Sequence, residues 1–441
     1  MRRIGLLASV AFFGAGSAFA QTATTPTVTH VRCGHVVDAS LSDKALGPHT
    51  IVVSGDKISD VVAGTAPAGP DVKVVDLSGA YCMPGLIDMH THLSTQFDRG
   101  SFNNFITRTP ADVALRSIPY AERTLMAGFT TVRDAGGGEG VDIALRNAIA
   151  RGDIMGPRMF VADNPISITG GHGDDTSGFR EDVVAQPGVE VGVADGVAKV
   201  TEAVRRVVKR GGDHIKFMAS GGVLSQGDSA TAPQFSQDEV NALISTARDN
   251  GLKVMAHAHG DEGARRATVA GVASLEHGTF ISDETFSLMK KNGTYLVPTL
   301  IAGMSVSANA KIEGFYPASV AAKALEVGPR MGASLGRAYK MGVKIAFGTD
   351  AGVFPHGENA KEFQYMVDNG MKPIDAIGAA GMPAADLLGK AEVLGSLAKG
   401  KFADVVAVAA DPIADVKVLQ SMAFVMKSGK IYKQGGQRVG P

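Results

Sequence analysis

Eight short apolar runs recur through the middle of the chain, each followed by a segment of helical character, and this alternation constrains the fold more than any other feature. The runs lie around Leu86–His92, Thr130–Asp134, Met159–Ala162, His214–Ala219, Lys253–His257, Ala273–His277, Tyr295–Thr299 and Lys344–Asp350. Strands that alternate with helices pair in parallel, and eight such units predict an α/β fold, a (β/α)8 TIM barrel over residues 85–394. The helical segments carry apolar residues at helical spacing. Val197, Val200, Val204, Val207 and Val208 are an instance, which sets one face on the barrel wall, and Gly211-Gly212 ends that helix.

The flanks read differently. From about Thr27 to Val75, short β-branched runs alternate with turn signals, as in Ile51-Val52-Val53 followed by Ser54-Gly55-Asp56-Lys57. The C-terminal stretch does the same around Ala403–Val408 and Phe424–Met426. Short antiparallel strands follow from this pattern. The two ends, 21–84 and 395–441, are expected to pair into one small composite β-sandwich. Between Asp163 and Val193 lies a long aperiodic segment rich in Gly, Asp and Ser, and a loop of that length in a compact domain is functional or mobile.

Met1-Arg2-Arg3, an apolar run from Ile4 to Phe13 and the small residues ending at Ala20 read as a secretory signal peptide over residues 1–20. The expected location is therefore the bacterial periplasm or the medium. The surroundings of Arg2-Arg3 do not otherwise fit twin-arginine export. No later run reaches membrane-spanning length, so no membrane association is expected after cleavage.

The formal charge is −1, and the basic cluster Arg205, Arg206, Lys209, Arg210 reads as a solvated helix face, so nucleic acid is not an expected partner. The glycine groups Gly136–Gly138 and Gly221-Gly222 lack the context of phosphate loops and read as tight loops at the barrel mouth. Only two cysteines occur, Cys33 and Cys82, without metal-ligand spacing. Any metal site is therefore not a thiolate one. Export permits a disulfide between them, but spacing leaves that open.

The chemistry begins with His90-Thr91-His92 at the end of the first run. In a strand, residues two apart point the same way, so both imidazoles can reach one ion. Alone, the pair is as compatible with two structural histidines. Further ligand types stand at the ends of other runs, namely His257, His277 and Asp350, and barrel active sites are built at that end. Lys216, in Ile215-Lys216-Phe217-Met218, alternates into the barrel interior, where an unpaired ammonium is costly. It is either a lysine snorkelling past the rim or an amine lowered from its ordinary pKa of roughly 10.4 and carboxylated by CO2, the carbamate then bridging two cations.

In these residues the chain resembles the metal-dependent amidohydrolase superfamily, whose HxH on strand one, bridging lysine, histidines on strands five and six and aspartate on strand eight match His90, His92, Lys216, His257, His277 and Asp350. Met83–His92 resembles the family's lead into the barrel and Lys399–Asp404 its return to the flanking strands. Thr169–Gly173, Ser220–Gly222 and Ala256–Gly260 are similar to the imidazolonepropionase-related branch of prolidases and carboxypeptidases, and to amidases that cleave ochratoxin A.

The resemblance implies two divalent metal ions, one held by His90, His92 and Asp350, the other by His257 and His277, with carboxylated Lys216 and a hydroxide between them. Nitrogen and oxygen donors suit zinc, and manganese or iron fit as well. The implied reaction is hydrolysis of the amide bond of a small-molecule or peptide substrate, such as an N-acyl amino acid or an Xaa-Pro dipeptide. Asp350 would pass the proton to the leaving amine.

His172 and His259 are candidates to contact the oxyanion or orient the substrate, and equally structural histidines. Arg133 is a candidate for a substrate carboxylate, with an internal ion pair as its alternative. A homo-oligomer is implied by the resemblance. The competing readings are a mononuclear cyclic amidohydrolase or deaminase, against which Lys216 argues, and an exported binding protein without catalysis.

Overall fold

The structure is a computed structural model that describes residues 28–101 and 104–439. The signal-peptide reading falls on residues 1–20, outside the described residues.

The two chain ends meet in one eight-stranded sheet. Its order is Gln437–Arg438, Lys430–Gln434, Phe424–Lys427, Val405–Val408, Lys73–Pro84, Val28–Val36, His49–Ser54 and Lys57–Ala63. Val28–Val36 and Lys73–Pro84 run parallel at the centre, and Val405–Val408 joins Lys73–Pro84 antiparallel. Strands from both ends are shared, and the described strands of these two terminal segments belong to a single mixed sheet. Alternate residues turn inward to a core of their own, including Val31, Ile51, Val53, Ile58, Val405, Phe424 and Met426. Cys33 and Cys82, on the two central strands, form a disulfide.

The middle of the chain is TIM-barrel-like. Leu86–Thr91, Phe129–Asp134 and Arg158–Val161 pair in parallel, as do Ile215–Met218, Val254–Gly260, Ser274–Phe280 and Tyr295–Val297. These strands are almost wholly buried, consistent with parallel strands covered on both faces. Parallel bridges Ile166–Phe217, Leu296–Ile345 and Thr91–Ala351 link the two groups and bring the eighth run between the seventh strand and the first.

That eighth run differs from expectation, because Lys344–Asp350 is not a regular strand. Its Thr349 amide is shared between the Asp88 carboxylate at 3.1 Å and the His90 carbonyl of the first strand at 3.4 Å. Asp88 also accepts from the Thr349 hydroxyl at 2.6 Å and the Asn359 amide at 2.8 Å. The run still bonds to Leu296 on one side and to Met89 and His90 on the other through its backbone, with the Asp88 side chain inserted near its end, and the chain turns at Asp350 with φ 62°.

The helix Gly196–Arg210 buries Val200, Ala203, Val204 and Val207, whereas Val197 is exposed in its first turn, short of the barrel wall. Of the basic cluster, Arg210 reaches Asp163 at 3.2 Å. The segment from Asp163 to Val193 holds only a one-turn 3-10 helix, Val189–Val191, and carries His172.

Candidate active site

Six histidines, one lysine and one aspartate gather where the parallel strands end. His90 lies in Leu86–Thr91 with His92 just after it, Lys216 in Ile215–Met218, His257 and His259 in Val254–Gly260, and His277 in Ser274–Phe280. Alternation does the placing, since a strand projects every second residue to one side. His90, His277 and Asp350 each offer a ligand atom within 4.8 Å of the others. His92 Nε2 stands 3.3 Å from Asp350 Oδ1, and His90 Nε2 stands 3.5 Å from the same oxygen. The Lys216 amine, 2% exposed, donates to His90 Nε2 at 3.2 Å. The His257 ring lies 4.6 Å from that of His277 and 4.8 Å from that of His259.

The outer nitrogens are held. His90 Nδ1 donates to Glu276 Oε2 at 2.9 Å, and His92 Nδ1 to the Gly136 carbonyl at 3.0 Å. His277 Nδ1 meets the Thr299 hydroxyl at 2.6 Å. Each of these bonds leaves Nε2 for the common centre. His257 is inverted, because its Nε2 donates to the Gly221 carbonyl at 3.1 Å, which leaves Nδ1. Partners of this kind set tautomer and orientation in metal-binding imidazoles.

The electrostatics suit neutral imidazoles at His90, His257 and His277, whereas at His92 burial is outweighed by Asp350, which raises the imidazole above its usual range. Burial pushes His90 down to about 4 and holds His257 and His277 well below the usual range. Burial opposes ionisation of Asp350, but His90 and His92 outweigh it and hold the carboxyl well below its usual range. Burial also lowers Lys216 to about 8 against the pull of Glu276 and Asp350, so its amine is within reach of the neutral form. His277, Asp350 and Thr299 take positive φ values of 71°, 62° and 51°. Left-handed backbone at non-glycine residues is strained and gathers at functional sites.

Arg133 takes its internal alternative. It is 3% exposed, its Nη2 contacts Glu276 Oε1 at 2.9 Å, its Nε donates to the Met89 carbonyl at 2.7 Å and its Nη1 to Ser274 at 3.1 Å. Buried there, the guanidinium reaches His90 through Glu276.

His172 and His259 both join the cluster. The His172 ring lies 4.3 Å from that of His257, and His259, held by Thr279 at 2.8 Å, stacks on His277. Glu276 is a participant that sequence reasoning missed. Burial opposes its charge, yet Arg133 and His90 bring its carboxyl down to about 2. The available signal was a carboxylate inside the apolar run Ala273–His277. Thr299, Ser225 and Asp228 were missed as well, and loop residues of these types carry no periodic signal.

A strand-end cluster of this kind on a TIM-barrel-like fold is that of a hydrolase. Residues 81–432 match the amidohydrolase family, and the chain belongs to it. It is a hydrolase acting on amide bonds, in a family that is typically metal-dependent.

Among its relatives, the ochratoxinase of Aspergillus niger is 35% identical over 377 residues, covering 81% of this chain and 76% of the relative. The imidazolonepropionase of Pseudomonas fluorescens is 27% identical over 379 residues, covering 80% of this chain and 84% of that one. The crystal structure of an Xaa-Pro dipeptidase with methionine bound in its active site is similar at a TM-score of 0.90 with 43% identity, covering 92% of this chain and all of that one.

Proposed function

We propose that the chain is an exported, binuclear metal-dependent amidohydrolase that cleaves the amide bond of a peptide or an N-acyl amino acid. The observation that carries this reading is the orientation of the imidazoles, each with one nitrogen held from outside and the other left for a centre shared with Asp350 and Lys216. This donor set fits divalent cations. His90, His92 and Asp350 would hold one and His257 and His277 the other, with zinc, manganese or iron compatible with the nitrogen and oxygen donors. When bound, such ions lower the pKa of water and polarise the amide carbonyl.

The chain's own residues supply the rest. The neutral Lys216 amine forms an N–C bond with CO2 and loses a proton, becoming a carboxylate between the two sets of ligands. Asp350 accepts a proton from the attacking water and returns it to the nitrogen of the leaving amine. His172 and His259 flank the centre, where they orient the substrate. The similarity to ochratoxinase and to an Xaa-Pro dipeptidase supports substrates with an amino acid or imino acid on one side of the scissile bond.

The same reading takes the eight runs as a closed barrel and the terminal segments as a β-sandwich, in a homo-oligomer. The Cys33–Cys82 disulfide supports export. A mononuclear reading draws on the compact trio His90, His277 and Asp350.

Elemental analysis of purified protein separates the two, alongside amino-acid release from N-acyl amino acids and Xaa-Pro dipeptides. Two metals per chain with release abolished by chelator and restored by metal is the expected result. One metal per chain, retained in Lys216→Ala with full activity, overturns the bridge.

A further inference from the structure

His172 belongs to a segment without regular structure, yet its ring is fixed against His257. Its surroundings explain how. The ring lies on the bare backbone of Gly222, where an added Cβ would come within 2.2 Å of its Nδ1 and Cε1. Its Nδ1 meets the Ser225 hydroxyl at 2.9 Å, and its backbone amide donates to Gln234 at 3.2 Å. The Ser225 hydroxyl in turn donates to Asp228 Oδ1 at 2.6 Å. Its one hydrogen being used there, the serine oxygen accepts from His172 Nδ1–H, and Nε2 is left for a ligand.

Asp228 holds the rest of the loop. Its Oδ2 accepts from the Gly222 amide at 3.0 Å and from the Gln234 side chain at 3.4 Å. Lys323 closes the arrangement from far along the chain, on the helix Ala318–Met341 that follows the seventh strand. Its amine shares its three hydrogens among four acceptors, Asp228 Oδ1 at 2.8 Å and the carbonyls of Gly222 at 2.7 Å, Ser225 at 2.8 Å and Asp228 at 3.2 Å. Lysine and aspartate side chains are only 15% and 8% exposed. No repeating backbone ladder holds residues 222–228, so this pair gives the loop its shape.

We propose that Lys323, Asp228 and Ser225 form a positioning relay that fixes the ring orientation and tautomer of His172, making Lys323 a determinant of substrate affinity rather than of the chemical step. This deepens the amide-hydrolase reading and rests on it for its kinetic consequence alone.

The test compares wild type with Lys323→Met and Lys323→Arg in two measurements. Ring nitrogen NMR of the metal-free protein, with the signal assigned by its loss in His172→Gln, is expected to show one Nδ1–H tautomer in wild type. Lys323→Met is expected to give averaged tautomers, and Lys323→Arg to return toward wild type. With an N-acyl amino acid, KM is expected to rise about tenfold in Lys323→Met, the loss of a charge-assisted hydrogen bond, with kcat within about twofold and metal content unchanged.

An unaltered His172 signature in Lys323→Met overturns the relay, as does a parallel loss of kcat and metal, which marks a mere structural staple. If wild type releases no amino acid from any substrate tried, the amide-hydrolase reading fails while the ring spectra still decide the relay.

Discussion

At the scale of the residue, the site depends on what stands behind each ligand. Glu276 neutralises Arg133 and orients His90, two tasks for one buried carboxylate. Glu276→Gln is expected to weaken metal binding by about 10-fold to 100-fold, as loss of an outer partner of a metal histidine does. A competition titration with a chromogenic chelator measures it, and affinity equal to wild type would show the His90 contact to be idle. The same substitution strands Arg133 and lowers the melting temperature.

A second residue carries a pH signature. Glu362 accepts the amides of Leu300 at 2.9 Å and Ile301 at 2.7 Å, and burial pushes its carboxyl up to about 8, with Asp88 adding to the rise. Above an ordinary value near 4.5, the unfolded chain therefore releases this proton before the folded one. Its contribution to stability falls as pH climbs from there to about 8, and is level below and above. Denaturant midpoints across that window should decline less steeply in Glu362→Gln than in wild type. Equal slopes would contradict the shifted carboxyl.

Elements show where close approach was required. The helices Leu300–Asn309 and Ala318–Met341 cross at Gly303 and Gly328, where a Cβ on Gly328 would meet Ser307 Oγ at 2.1 Å and the Gly303 carbonyl at 2.3 Å. Gly328→Ala is expected to cost about 1–3 kcal/mol by overpacking. An unchanged urea midpoint would mean that the crossing yields freely. Lys323 rides on the second of these helices, so the variant should also disturb the loop that holds His172.

Elements also mark the limits of periodicity. Seven of the eight runs became parallel strands, and the eighth keeps only isolated bridges to its two neighbours, with the Asp88 side chain sharing the Thr349 amide near its end. Val197 fits the helical period but lies in an exposed first turn. Spacing reports an orientation about the helix axis, while burial also needs a neighbour at that height.

Across the whole molecule, the two terminal segments share one sheet with the barrel-like part between them, and the Cys33–Cys82 bond spans a sequence separation of 49 residues. Opening it by a Cys33→Ala, Cys82→Ala double substitution is expected to cost roughly 2–4 kcal/mol through the enlarged unfolded ensemble. Denaturation of the double variant and of wild type, each with and without reductant, reads the cost. A wild type insensitive to both changes would show the bond to be dispensable. Chelation should lower the melting temperature as well, since an ion that binds only the folded chain stabilises it by mass action.

The order of strands and helices, and the residue types at the strand ends, were determined by the sequence alone, because period and alternation are local properties of the chain. His90, His92, Lys216, His257, His277 and Asp350 were legible for that reason, each ending or interrupting an apolar run. What only the tertiary structure decided was the partner of each: Glu276 behind His90, Thr299 behind His277, Gly221 behind His257, Glu276 for Arg133 and Lys323 across the loop of His172. These contacts join residues between 22 and 186 positions apart. Burial leaves a polar group no alternative to its nearest complementary partner, and which partner is nearest is settled by the packing of distant elements.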